Sequence, residues 1–183
     1  MPVHPLVHPL ARRSAILAAA ATMVVLAPGV GHTAASSPAP IKNEGAGWYL
    51  DSGGETSSDK APTFTAKYTG EPASAPGNLK WSYDPATKLI KNEAHGWYLG
   101  SGGDSSSDKA PAYTTKYTGD PAAAPPQLKW SYDASTKLVK NEGNGWYLGS
   151  GGDNYGKAPA YTTKYTGTPA SAPAQLKWAI ASS

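Results

Sequence analysis

From Ile41 onward the chain is a succession of short apolar and aromatic runs set between stretches of Gly, Pro, Ser and Asp. "KLIKN" at 88–92 and "GWYLG" at 96–100 are of β type. So are "AYTTKYT" at 112–118, which alternates and is rich in Thr and Tyr, and "QLKWSYD" at 127–133. Runs of this length between turn-forming residues predict strands, not helices. The pattern also returns on itself. Lys42-Asn43-Glu44, Lys91-Asn92-Glu93 and Lys140-Asn141-Glu142 stand 49 residues apart, as do Trp48, Trp97 and Trp146. Trp81, Trp130 and Trp178 are separated by 49 and 48. The lost residue falls where "GGDSSSDKAP" becomes "GGDNYGKAP", and a deletion accepted there marks an exposed loop. The units run over 41–89, 90–138 and 139–183, with four strands each and about twelve in all.

A repeat of this period points to an array or a propeller, but propellers usually need four or more blades. Three four-stranded units closing on themselves predict an all-β chain folded as a β-trefoil. The order "I-K-N-E-x-x-G-W-Y-L-[D/G]", an aromatic segment, then "[N/Q]-L-K-W" resembles the ricin-type β-trefoil lectins. Repeats of that family carry a "GKCLD" element and end in Q-x-W. The resemblance covers nearly all of 41–183. Three departures stand out. The cysteines are absent, Trp replaces the usual polar residue of "GKCL", and the closing motif is Q-L-K-W. Gly-Gly after "YL" is also similar to galactose-binding mussel-type trefoil lectins, whose binding histidines have no counterpart here.

The first forty residues follow a different plan. Arg12 and Arg13 precede an apolar run from Ala15 to Leu26, and Thr33-Ala34-Ala35 follows. This is the layout of a secretory signal peptide over 1–35, with residues 36–40 as a short spacer. The run is shorter than the ~20 apolar residues a membrane-spanning helix needs. The arginine pair leaves Sec and twin-arginine export both open. Without the leader the charge argument changes. The whole chain carries 16 Lys and Arg against 13 Asp and Glu, but both arginines lie in the leader, so 14 lysines face 13 acids. A net charge near +1 provides no basic field for nucleic acid. The chain has no cysteine, so stability must come from the core, for which its length suffices.

A sugar site needs paired hydrogen-bonding groups, an aromatic face for the C–H side of the ring, and close backbone approach where glycine permits it. The resemblance implies a binding Asp after the "YL" element. That place holds Asp51 in the first repeat and Gly100 and Gly149 in the others. Four residues on, Glu55, Asp104 and Asp153 supply a carboxylate in every copy, delivered by turns that include Gly103 and Gly152. The other reading of Gly-Gly-Asp is a plain turn. The stacking aromatic that the resemblance implies falls on Tyr68, Tyr117 and Tyr165, each in "K-Y-T-G", or these are ordinary strand tyrosines. The amide before the Trp falls on Asn78, Gln127 and Gln175, with a turn role as the alternative. Trp81, Trp130 and Trp178 match the family's core Trp. Trp48, Trp97 and Trp146 either touch a ligand or partner, or plug the barrel floor. Asn43, Asn92 and Asn141 are expected to close the hairpin leading to "GWYL", and Asp84 and Asp133 to start turns. His95 occurs once only, which sets it outside any site made three times.

Together these readings predict a secreted lectin without catalysis, metal or cofactor. It would carry up to three equivalent sites for cell-surface or cell-wall glycans, of galactose type or a deoxyhexose such as rhamnose, and would insert in no membrane. Repetition favours this, because a binder gains from copies while an enzyme needs one asymmetric constellation. The competing classes are a structural cell-wall protein, a trefoil protease inhibitor, which needs one distinctive loop, and a glycosidase, which needs a carboxylate pair.

Overall fold

A computed structural model of the chain describes residue 1 and residues 34–53, 58–103, 107–152 and 156–181. Of the stretch expected as a signal peptide, residues 2–33 lie outside these residues. The described residues form strands and single 3-10 turns. The segment before the first repeat contributes β1 (Ala39–Pro40), and the first repeat contributes β2 (Lys42–Asn43), β3 (Tyr49–Asp51), β4 (Lys60–Pro62), β5 (Phe64–Ala66) and β6 (Lys80–Asp84). The second contributes β7 (Leu89–Asn92), β8 (Tyr98–Ser101), β9 (Lys109–Thr115) and β10 (Trp130–Asp133). The third contributes β11 (Leu138–Asn141), β12 (Tyr147–Ser150), β13 (Lys157–Thr163) and β14 (Trp178–Ala179). All pairings are antiparallel and link into one continuous hydrogen-bonded system.

The 49-residue period becomes threefold geometry through the third strand of each repeat. Its first half, the Lys-Ala-Pro segment, pairs with the second half of the same strand in the next repeat. Thus β4 pairs with β9, β9 with β13, and β13 with β5, which closes the cycle. Thr63 interrupts this strand in the first repeat, so β4 and β5 stand where the other repeats have one element.

The core follows the same period. Leu50, Leu99 and Leu148 are fully buried, as are Ile41, Ile90 and Val139 at the neighbouring position. Trp81, Trp130 and Trp178 are at most 1% exposed, as expected of core tryptophans. Burying an indole requires a partner for its N–H. Each donates across 2.9 Å to the carbonyl of Leu50, Leu99 or Leu148 in its own repeat. Asn43, Asn92 and Asn141 are also wholly buried. Asn141 donates to the carbonyls of Gln127 and Lys129 and accepts from the amides of Gly143 and Asn144. Each asparagine therefore closes its own hairpin and ties it to a neighbouring Leu-Lys-Trp segment, the preceding one for Asn92 and Asn141 and that of the third repeat for Asn43.

Closure of the wall differs from the expected plan at one point. The third repeat ends at β14 without the "Tyr-Asp-x-x-Thr-Lys" hairpin of the others. The segment expected as a spacer supplies the missing wall: Ala39 and Pro40 pair with Trp81 and Lys80. Ser36 is buried, its amide donates to the Tyr83 carbonyl, and its hydroxyl accepts from the Tyr83 amide, both at 2.9 Å. Strand β14 then pairs with β2, Trp178 opposite Asn43.

Candidate functional site

Asp51 ends β3, opposite Phe64 of β5. It is 4% exposed, and burying a carboxylate is costly unless it is paired and hydrogen-bonded. Both conditions are met. Oδ1 accepts from Asn78 Nδ2 at 2.9 Å and from the Gly53 amide at 3.0 Å. Oδ2 lies 3.0 Å from Lys157 Nζ. Gly53 has φ of 76°, and a Cβ there would run into the Pro62 carbonyl, so only glycine brings the amide to Oδ1. Asn78 sits in the 3-10 turn Gly77–Leu79, and its carbonyl accepts from the Ser52 amide and from Asn92. Backbone and side chain of Asn78 thus fix the carboxylate from two sides. Asp51 and Asn78 form one wall of an open depression of ≈ 420 Å³, which His95 and Lys157 share. All three repeats contribute to it.

The equivalent place in the other two repeats is built differently. Gly100 pairs with Tyr113 and Gly149 with Tyr161. A Cβ at either glycine would land on the tyrosine ring. The ring takes the volume that the Asp51 side chain takes in the first repeat. Lys60 and Lys109 lie 3.5 Å from the centroids of those rings, within cation–π range. Burial pushes the hydroxyls of Tyr113 and Tyr161 above the ordinary tyrosine value. In the first repeat, Lys157 lies 4.5 Å from the Phe64 ring while also holding Asp51. Gln127 and Gln175, the counterparts of Asn78, are exposed, and their backbone carbonyls accept from Asn141 and Asn43. At this position the expected threefold equivalence gives way to one carboxylate–amide pair.

The remaining expected residues fall elsewhere. Glu55, Asp104 and Asp153 lie outside the described residues. Gly103 has no room for a Cβ because Trp146 and Asn144 of the next repeat abut it, and Gly152 meets Ala46 in the same way. The second glycine of each of these pairs therefore serves close contact between repeats, while Gly102 and Gly151 abut the Pro111 and Pro159 carbonyls of their own repeats. Tyr68, Tyr117 and Tyr165 do not line the depression. They stand edge-on to Tyr49, Tyr98 and Tyr147, with centroids 6.0, 6.1 and 6.1 Å apart. Their hydroxyls donate to the carbonyls of Glu71, Asp120 and Thr168. The hydroxyl end of each ring abuts the glycine of its own "K-Y-T-G" turn. Trp48, Trp97 and Trp146 are 8%, 6% and 5% exposed, which assigns them to packing and not to an open contact face. Lys116 and Lys164 lie 5.4 Å from the rings of Trp97 and Trp146 and pair with Asp59 and Asp108.

Two residues of the depression went unread in the sequence. His95 occurs once, and a site that breaks the symmetry is where a unique residue belongs. Lys157 comes from another repeat, through the pairing of β13 with β5. The usable signal was Phe64, the one departure from Tyr at its position, in the same repeat as the one Asp after "YL".

No protein-family model matches the chain, and no curated protein matches its sequence. Solved structures do resemble it. The C-half of an earthworm R-type lectin, in complex with GalNAc, superposes with a TM-score of 0.57 at 15% identity, covering 81% of this chain and 100% of that one. A designed threefold-symmetric protein, ThreeFoil, gives 0.59 at 18%, covering 77% and 95%. The fold is a β-trefoil. The Macrolepiota procera ricin B-like lectin, in complex with lactose, gives 0.54 at 18% identity over 78% of this trefoil and 92% of its own chain. The structural neighbours are thus ricin B-like trefoil lectins, as the motif order led one to expect. Among the described residues of the trefoil, no cluster of three or more His, Cys, Asp or Glu could hold a metal ion, and no helix is long and apolar enough to cross a membrane.

Proposed function

We propose that the chain is a secreted carbohydrate-binding lectin, without catalytic activity, whose sugar site is the depression at Asp51. One observation carries this: the Asp51 carboxylate is held rigid by Asn78, Gly53 and Lys157 on the wall of an open depression. An ionised carboxylate offers about four acceptor positions, and three are occupied. The Asn78 amide and the Lys157 ammonium stand beside it as donors. Two adjacent hydroxyls of a sugar ring, each donor and acceptor, match such a set. Lectin complexes among the structural neighbours support the reading, since they hold GalNAc and lactose. The motif resemblance and the adjacent acceptor–donor set favour a galactose-type sugar, with rhamnose as the deoxyhexose to compare. The leader-like first 35 residues support secretion, and the ligands in life would be cell-surface or cell-wall glycans.

Calorimetric titration with galactose, N-acetylgalactosamine and rhamnose tests this. A millimolar constant, ~−4 kcal/mol, is the expected scale for one monosaccharide. Asp51→Asn should abolish the binding assigned to this depression while leaving the melting profile that of a folded trefoil. Sugar binding that is indifferent to Asp51→Asn would overturn the site, and absence of heat with every sugar would overturn the lectin reading.

A further inference from the structure

The threefold frame carries a second kind of cavity, away from Asp51, where the "Tyr-Asp-x-x-Thr-Lys" hairpins join consecutive repeats. Asp133, Thr136, Lys140, Tyr147 and Pro169 line one such cleft, of ≈ 140 Å³. The same five residue types, Asp84, Thr87, Lys91, Tyr98 and Pro121, line the other, of ≈ 150 Å³. These volumes suit a single ring, not an oligosaccharide. The third junction lacks the cleft's acid, because residues 36–40 replace the hairpin there. It keeps only the Lys42–Tyr49 pair.

We propose that these two clefts are sugar subsites, each taking one pyranose ring between the hairpin carboxylate and the lysine–tyrosine pair opposite it. The proposal rests on the reading that the chain binds glycans, but not on the Asp51 depression.

The carboxylate is fixed before any ligand arrives. Asp133 Oδ1 accepts from the amide and hydroxyl of Ser135, at 2.9 and 2.6 Å, and Oδ2 from the Thr136 hydroxyl at 2.8 Å. These bonds hold its pKa down at about 2, so it stays an acceptor across the whole physiological range. Asp84 is held in the same way, by the Ala86 amide and the Thr87 hydroxyl. Across the cleft, Lys140 Nζ lies 5.8 Å from the centroid of the Tyr147 ring, and Lys91 lies 5.7 Å from that of Tyr98. Register sets both pairs, since Lys140 stands opposite Tyr147 and Lys91 opposite Tyr98 on adjacent strands.

Each cleft therefore places a fixed acceptor and a cationic donor around a partly apolar wall of Tyr, Leu and Pro. The two charges cancel, which disfavours a net anion or cation. A neutral ring with hydroxyls on its rim and C–H groups on its face satisfies both the polar pair and the wall. Asp84 and Asp133 are expected from the sequence to start turns. They do, and the turn aims them into a cleft.

The test is an amide chemical-shift titration of the ¹⁵N-labelled protein with galactose, rhamnose and N-acetylgalactosamine in turn, on the parent, Asp51→Asn, Asp133→Asn and Lys140→Met chains. Asparagine keeps the bonds that Asp133 Oδ1 accepts from Ser135, and methionine keeps the stem of Lys140. The expected result is saturable shifts at 82–91 and 98 and at 131–140 and 147, which persist in Asp51→Asn. Asp133→Asn and Lys140→Met should each weaken the second set about 10- to 100-fold, the scale of one lost charged hydrogen bond, with the first set unchanged. Shifts confined to residues around Asp51 and Asn78 would overturn the clefts and leave the lectin reading standing. Shifts at the clefts alone would support them and overturn the Asp51 site. No shifts with any sugar would overturn both.

Discussion

Thr63 and Thr65 are neighbours on the same strand region, are both buried, and should respond to the same substitution with opposite sign. Thr63 is 1% exposed, and its hydroxyl has no hydrogen-bond partner among the described residues. Its counterparts in the other repeats are Ala112 and Ala160, both fully buried. The three meet through backbone bonds, Thr63 N to Ala112 O and Ala160 N to Thr63 O. Thr65 is as buried, but its hydroxyl lies 3.1 Å from the Ser150 hydroxyl and reaches the Ala158 carbonyl. Thr→Val keeps the branched shape and replaces hydroxyl by methyl. An unpaired buried hydroxyl costs ~1–3 kcal/mol, and a buried methyl adds about 0.8 kcal/mol of favourable transfer. Thr63→Val should therefore stabilise the fold by about 1–2 kcal/mol. Thr65→Val removes a made bond and strands part of Ser150, and should destabilise by about 1–2 kcal/mol. Urea unfolding followed by tryptophan fluorescence reads both as midpoint shifts at constant slope. In a thermal scan, each kcal/mol moves the midpoint by roughly 2–4 °C. A shift of both variants in the same direction, or a loss of more than about 0.5 kcal/mol in Thr63→Val, would refute an unpaired Thr63 hydroxyl.

Three further outcomes are expected. Gly100→Ala puts a methyl where the Tyr113 ring lies, so it should cost about 1–3 kcal/mol; Gly100→Ala in a Tyr113→Ala background should cost clearly less, in a double-mutant cycle on melting. Trp130→Phe removes the donor to the Leu99 carbonyl and opens volume in a fully buried place, for a loss of about 2–4 kcal/mol by urea unfolding. Asp133 should titrate by carboxyl NMR near pH 2, against an ordinary value of 3.8. Because the folded value is the lower one, its contribution to stability is present above pH 3.8 and is lost as pH falls through about 2; Ser135→Ala should move the midpoint upward.

Much of the fold was legible because repetition amplifies weak signals. A single four-residue strand is ambiguous, but three copies in one order, with Trp81, Trp130 and Trp178 closing each, leave few topologies. The expected four strands per unit differ from the observed elements where pairing between repeats decides. Lys60–Pro62 and Phe64–Ala66 are one strand of the unit interrupted at Thr63, and they pair with β9 and β13, across distances the local sequence does not encode. The candidate site was legible only in part. Asp51 and Asn78 sit 27 residues apart and do meet. Tyr68, Tyr117 and Tyr165 occupy the expected spacing but are turned onto their own turns, since spacing along a strand fixes a face and not its partner. Repetition here also misled: it favoured equivalent sites, whereas the Asp51–Phe64 pair and the two Gly–Tyr pairs are alternative fillings of one volume.

The wall is completed by its two ends, since β1 stands beside β6 and the last strand, β14, pairs with β2 near the first. A chain emerging from its N-terminus presents Lys42–Asn43 when its partner, Trp178–Ala179, is still about 135 residues from completion. Until that last strand appears, Asn43 lacks the carbonyls of Gln175 and Lys177 to which its buried amide donates. Pairings such as β1 with β6 and β8 with β9 draw only on residues made early, but the wall between the first and last repeats cannot be sealed until β14 exists.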